Sequence, residues 1–282
     1  VICRQARLPY RTFHHPLSFS MNVWFLILLC WFGVAVVMAM LWVLQRVQGD
    51  SGVVDVAWGL GVGLISLVFA VFSDGDATRR AIVASLAIAW SIRLSGHILI
   101  RLFQLPEDGR YITIKENWGE KAQTNLFWFF QVQAFWAVLF ALPMLMASRN
   151  ALPFPTVWDF IGFAIWILAI AGESVADRQL ARYRNDPTTK GEVCREGLWR
   201  YSRHPNYFFE WIHWWGYVCF SIGATFWWTT LLAPLCMLYF LFKVTGIPPT
   251  EAQCLKSRGE KYREYQRTTS PFVPWPPKTE QQ

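Results

Sequence analysis

The chain has 282 residues and a formal net charge of +7; 54% is hydrophobic and 17% aromatic, with 17 Trp, but only 16% is charged. Soluble domains carry about 25% charged residues, so this composition excludes an ordinary soluble protein and indicates an all-α, polytopic membrane protein. The surplus of cations does not point to nucleic acid, because it lies in segments between apolar runs.

Residues 1–20 are polar and irregular, and Met21 opens the first apolar run, so 1–20 reads as a leader and 21–282 as one transmembrane domain. About 20 apolar residues cross a bilayer as a helix. Seven such spans are predicted, near 22–45, 53–73, 81–101, 126–147, 156–176, 208–226 and 228–246, the last two forming a tight hairpin at Thr225–Thr229. Nothing repeats at a period of 20–50 residues. With the N-terminus outside, 19 of the 26 basic residues fall in inside segments. The positive-inside rule therefore puts the C-terminus and both long loops in the cytoplasm. Six cysteines, Cys3, Cys30, Cys194, Cys219, Cys236 and Cys254, form neither a CxxC pair nor a Cys/His cluster, so neither a structural metal nor a disulfide framework is expected.

Polar residues inside the spans gather toward the cytoplasmic side. Asp55 follows the start of the second span. Arg93, His97 and Arg101 recur every four residues on one face of the third. Glu173 and Asp177 end the fifth, Glu210 and His213 open the sixth, and Lys243 lies near the end of the seventh. Arg101 and Lys243, at helix ends, read as snorkelling or pairing cations. Arg93, His97, Glu210 and Asp55 are expected to line a polar cavity open to the cytoplasm, since intramembrane ionisable groups are costly. The outer half looks nearly free of such groups.

The cytoplasmic loops add Arg178, Arg182 and Asn185 on one helical face, then Lys190, Arg195, Arg200 and Arg203, interleaved with Tyr, Asn, Asp and Glu. Binding of anionic lipid headgroups accounts for the charge. The interleaving fits a phosphorylated cofactor with a planar headgroup, because Arg forks bind phosphate and aromatic faces stack on rings. Neither GxGxxG nor GxxxxGK[ST] is present, which excludes Rossmann and P-loop sites.

Leu198-Trp199-Arg200-Tyr201-Ser202-Arg203-His204-Pro205-Asn206-Tyr207, with Glu210, resembles the signature of the membrane sterol and steroid reductases. The tail from Glu251 through Cys254, Lys256, Gly259, Tyr262 and Tyr265 to Pro271-Phe272-Val273-Pro274 is similar to their second signature. From about Met21 to Pro277 the chain resembles the steroid 5α-reductase family, of bacterial type. The resemblance implies a seven-helix bundle in a bacterial inner membrane that uses NADPH to reduce the C4=C5 bond of 3-oxo-4-ene steroids, or of a similar enone lipid; a monomer fits this reading. It implies that Asp177, Arg184, Asn206, Glu210 and Trp214 are cofactor positions, with Asp177 and Arg184 at the nucleotide end and Asn206 and Glu210 at the nicotinamide end, and that Arg203, His204, Tyr207, Lys256, Tyr262 and Tyr265 contact phosphate or ribose. Arg110-Tyr111 matches a further contact, and Arg195 belongs to the basic lip. The chain departs from the animal enzymes, whose second span has a Gln-Glu pair and whose third has a Tyr to polarise the 3-oxo group. Here the second span offers Asp55, with Trp58 one turn on, and the third has Trp90 but no Tyr. Asp55 is therefore the first candidate proton donor, kept protonated by burial, with His97 next, or a Tyr from elsewhere.

Two other readings compete. Isoprenylcysteine carboxyl methyltransferases share Arg-His-Pro-x-Tyr, matched by Arg203 through Tyr207, and bind S-adenosylmethionine. A non-enzymatic scaffold for lipid headgroups would need the surface cations but neither Asn206 nor Glu210.

Overall fold

The computed structural model describes residues 22–104 and 106–278. The expected leader, 1–20, lies outside the described residues. The described residues are 80% helical and contain no strand. The helices are α1 (Val23–Gln48), α2 (Val53–Phe72), α3 (Ala77–Gln104), α4 (Gly109–Trp118), α5 (Ala122–Ser148), α6 (Val157–Asn185), α7 (Pro205–Ser221), α8 (Leu232–Tyr239), α9 (Ile247–Arg258) and α10 (Glu260–Thr268).

Six helical stretches are long and apolar enough to cross a membrane, the mark of an integral membrane protein: Val23–Gln48, Val53–Phe72, Ala77–Gln104, Gly109–Ser148, Val157–Asn185 and Trp227–Arg258. The sixth expected span, 208–226, corresponds to α7 and is not among these six. It has 17 residues, or ~25 Å at 1.5 Å per residue, short of a ~30 Å hydrocarbon core. Two other boundaries differ from expectation. The fifth span does not stop at 176; α6 runs nine residues further because Asp177–Asn185 is itself helical, as the one-face spacing of Arg178, Arg182 and Asn185 required. The last span is not a regular α-helix either. A 3₁₀ turn (Trp227–Leu231) leads into α8, and Phe240–Val244 is π-helical before Gly246 breaks the chain.

Small residues set the closest helix contacts. A Cβ on Gly63 of α2 would lie 2.5 Å from Ser91 Oγ of α3, and one on Gly59 an equal distance from Ser95 Oγ. These two serines donate to α2 carbonyls, Ser91 to Gly59 O at 2.7 Å and Ser95 to Val56 O at 3.2 Å. Such small-residue seams let backbones approach where no hydrophobic effect drives helices together. α6 and α7 meet the same way: a Cβ on Gly162 would lie 2.8 Å from Gly216 O. α1 stays at the periphery, with Trp24 71% and Phe32 65% exposed, an outward face suited to lipid. The core lies inside α2, α3, α5 and α7 around Val62, Phe69, Trp90, Phe140, Trp214 and Tyr217.

Segments 73–76, 149–156 and 222–226 meet at one end of the bundle. Asn150 Nδ2 donates to Phe220 O and Ile222 O at 3.1 and 2.9 Å, and Asp76 N donates to Asn150 O at 3.0 Å. This end is not free of deep charge, as the sequence led us to expect. Arg79, fully buried, makes a two-pronged contact with Asp159, 2.7 Å on each oxygen. Its remaining nitrogen donates to Asn150 O and Leu152 O. Counted as a loop cation, Arg79 is in fact the pin of this end. Asp159 also closes a capping box with Thr156 at the start of α6.

Candidate functional site

At the other end the polar side chains form three groups rather than the single cavity expected. The first is built by α3, α6 and α7. Its centre is Trp90, a fully buried indole of α3. Trp90 Nε1 donates to Glu210 Oε2 at 3.0 Å. His213, one turn along α7, stacks on the Trp90 ring with centroids 4.9 Å apart and planes 16° apart. Trp58 and Trp214 meet the same ring edge-on. Beside this aromatic box Arg93 pairs with Glu173, and it lies 3.5 Å from Asp177. Asn206 Nδ2 then donates to Asp177 Oδ1 at 3.3 Å, tying the first turn of α7 to α6.

This group has a deficit. Glu210 Oε1, His213 Nδ1, Trp214 Nε1 and Trp58 Nε1 are buried without a well-formed hydrogen bond, with Trp214 and Glu173 in looser hydrogen-bonding reach of Glu210. Buried polar side-chain atoms are mostly satisfied, with a few exceptions per 100 residues, and eleven lack a partner among the described residues. Four of them around one indole amount to an unmet set of three N–H or ring-nitrogen groups and one carboxylate oxygen. A flat ligand carrying both a carbonyl and an N–H would meet them.

The second group joins α2 to α4. Asp55 accepts from Tyr111 Oη at 2.8 Å and from Arg110 Nη2 at 3.3 Å. Arg110 also reaches Asp108 at 3.1 Å, and Arg101 pairs with the same Asp108 at 2.8 Å. Asp108, in the loop before α4, is held below the usual carboxylate range: burial would raise it, but the hydrogen bonds and charge of Arg110 outweigh that. Arg93 and His97 are therefore not the partners of Asp55. The reason is register: α3 turns Ser91 and Ser95 to α2, so Arg93 points to α6.

The third group closes the C-terminal segment on the rest. Arg203 donates to Glu251 Oε1 at 2.7 Å and to the carbonyls of Gln266 and Thr269 at 2.9 and 2.6 Å. His204 Nε2 lies 3.3 Å from the same Glu251 oxygen, and its ring stacks on Tyr207. Tyr207 Oη sits 3.2 Å from Thr250 Oγ1, while Tyr265 Oη donates to Trp199 O and Ser202 O. Burial holds the Tyr265 and Tyr262 hydroxyls well above their ordinary range, so both stay protonated donors.

With this geometry in hand, comparison with protein families is informative. A family model described as "Protein of unknown function (DUF1295)" matches residues 41–269. The chain belongs to this family. No curated protein and no solved structure matches it. The matched region of this DUF1295 protein takes in all three polar groups.

Of the residues expected at the site, the fold brings Asp177, Asn206, Glu210 and Trp214 together in the first group. Asp55, Arg110 and Tyr111 meet in the second. Arg203, His204, Tyr207 and Tyr265 belong to the third, with Tyr262 stacked edge-on against Tyr265 at 5.8 Å. Arg195 pairs with Glu264 at 2.8 Å on the surface. Arg184 and Lys256 are exposed, Arg184 within electrostatic reach of Arg258 and Arg101. His97 is exposed and makes no hydrogen bond among the described residues. Among these residues, too, no cluster of three His, Cys, Asp or Glu could hold a metal ion. Two shallow depressions of about 310 Å³ each, one beside Arg195 and Arg200 and one beside Arg267 and Trp275, lie away from the aromatic box. Sequence reasoning passed over His213 as a site residue and Trp90 as its centre. The visible signal was a His three residues after Glu210, on a span otherwise aromatic and apolar.

Proposed function

We propose that this DUF1295 protein is an NADPH-dependent reductase of the C=C bond in an enone, with 3-oxo-4-ene steroids or a similar enone lipid as substrate class. The family's relation to steroid-reductase-like membrane proteins supports this reading. The observation that carries it is Glu210, fixed at one oxygen by Trp90 and left without a partner at the other, inside an aromatic box. A nicotinamide carboxamide offers the N–H that this oxygen lacks and the flat ring that the indoles accommodate.

When bound, NADPH would supply the hydride for the enone β-carbon, so that negative charge develops on the carbonyl oxygen and the α-carbon needs a proton. The residues of this chain would do the rest. Glu210 and Asn206 orient the carboxamide. The indoles exclude water, so that each hydrogen bond to the developing enolate counts for more. Arg184, Lys256 and Arg258, at the exposed edge, suit the phosphates. For the proton there are two sources in one contact, Asp55 and Tyr111, 2.8 Å apart. In the geometry found, Asp55 is the acceptor, so release of the Tyr111 proton toward the ligand requires the pair to rearrange. Seven crossings of the bilayer and a cytoplasmic cofactor lip belong to this proposal.

The competing methyltransferase reading leans on Arg203, His204 and Tyr207. Those side chains are spent on Glu251, Thr250 and backbone carbonyls, a structural duty that fits either activity. The test is turnover: detergent-solubilised protein given NADPH and a 3-oxo-4-ene steroid should consume both in equal amounts. Methyl transfer from S-adenosylmethionine to an isoprenylcysteine without NADPH consumption would replace the proposal.

A further inference from the structure

Behind the aromatic box runs a chain of three side chains that the proposed reaction leaves unused. Trp166 Nε1 of α6 lies 3.2 Å from Tyr217 Oη, and Tyr217 Oη lies 3.3 Å from His213 Nε2. Tyr217 and His213 are both fully buried. An indole nitrogen can only donate, so the Tyr217 oxygen accepts from Trp166. If Tyr217 also accepted from His213, its own hydroxyl hydrogen would have no acceptor and the other imidazole nitrogen would lack a donor, two deficits in one buried site. If Tyr217 instead donates to His213 Nε2, the tyrosine is satisfied and a single deficit remains. A neutral imidazole that accepts at Nε2 carries its hydrogen on Nδ1. The relay from α6 thus fixes one tautomer and presents an Nδ1–H with no partner.

We infer that this N–H is a built ligand contact: His213 Nδ1–H donates to a carbonyl oxygen of the molecule that enters the box, with Tyr217 and Trp166 as positioning residues that set the tautomer. The inference rests on the reading above that the box takes carbonyl compounds. Leaving such a buried donor bare is destabilising, and Glu210 sits three residues before it on the same helix. Two sources share this chemistry, the cofactor's carboxamide and the substrate's enone carbonyl.

The experiment is ¹⁵N NMR of histidine-labelled full-length protein in detergent, with His213 assigned through its contacts to the Trp90 ring. Apo protein should show His213 with its hydrogen on Nδ1, and Tyr217→Phe should release it toward the Nε2-protonated form. NADPH alone should move the Nδ1–H resonance if the carboxamide is the acceptor; only addition of a 3-oxo-4-ene steroid should move it if the enone is. S-adenosylmethionine should leave it in place. His213→Leu should weaken binding of the probe that moves the resonance roughly tenfold, the worth of one buried hydrogen bond, and His213→Gln should recover part of it. A hydrogen on Nε2 in the apo protein would overturn the inference. So would an Nδ1–H that no probe moves while NADPH still stabilises the fold, an outcome that leaves the reductase reading intact. A resonance moved by steroid in a protein that never binds NADPH would keep the inference and remove the reductase.

Discussion

Glu210 and Asp55 are both carboxylates near the same end of the bundle, and their partners separate their roles. Glu210 is held through one oxygen by a rigid indole and offers the other to a ligand. Asp55 has both oxygens engaged, one by Tyr111 and one by Arg110. Glu210→Gln should therefore weaken NADPH binding, since an amide has a single acceptor oxygen and cannot accept from both the Trp90 indole and a carboxamide N–H, and isothermal titration of the purified protein checks it. Asp55→Asn should leave NADPH binding largely intact. If Asp55 takes part in proton delivery, turnover per folded molecule falls on the order of 10²-fold. If Asp55 only fastens α4 to α2, stability falls and turnover of the folded fraction stays near wild type. Thermal denaturation and turnover on one preparation separate these outcomes.

At the scale of helices, the seams between them position these side chains. Gly59 and Gly63 bring α3 close enough for Ser91 and Ser95 to bond α2 carbonyls, and this fixes which face of α3 carries Trp90 and Arg93. Gly63→Val should clash with Ser91 and lower stability by about 1–3 kcal/mol, read as a drop in the denaturation midpoint in detergent. Gly96→Ala, one turn from the site with nothing within 4 Å of the added carbon, should leave it unchanged or slightly raised. The helical segments were legible in the sequence because long apolar runs need no tertiary information. The rotation of each helix was not legible. Arg93, His97 and Arg101 share a face at i, i+4 and i+8, yet Arg93 meets α6, Arg101 meets Asp108 and His97 points outward. Long side chains leave one stripe in different directions once a neighbour is in place. Arg79 was misread for a similar reason: its partner Asp159 is 80 residues away, and local spacing carries no trace of it.

In the whole molecule, the two ends are built differently. One end is a locked knot around Arg79, Asp159 and Asn150. The other carries most of the cations, the aromatic box and the C-terminal helices held by Glu251. The expected orientation puts the charged end in the cytoplasm. A single cysteine introduced at Lys190 in a cysteine-free background should resist an impermeant thiol reagent in intact cells and react after permeabilisation. Labelling in intact cells would invert the orientation or change the number of crossings. The central claim is that the charged, aromatic end binds a nicotinamide dinucleotide phosphate, and thermal denaturation of the solubilised protein with NADPH, NADH or S-adenosylmethionine tests it most directly. A ligand at a hundredfold excess over its dissociation constant stabilises by about 2.7 kcal/mol. The account predicts that gain with NADPH, less with NADH and none with S-adenosylmethionine; stabilisation by S-adenosylmethionine alone would contradict it.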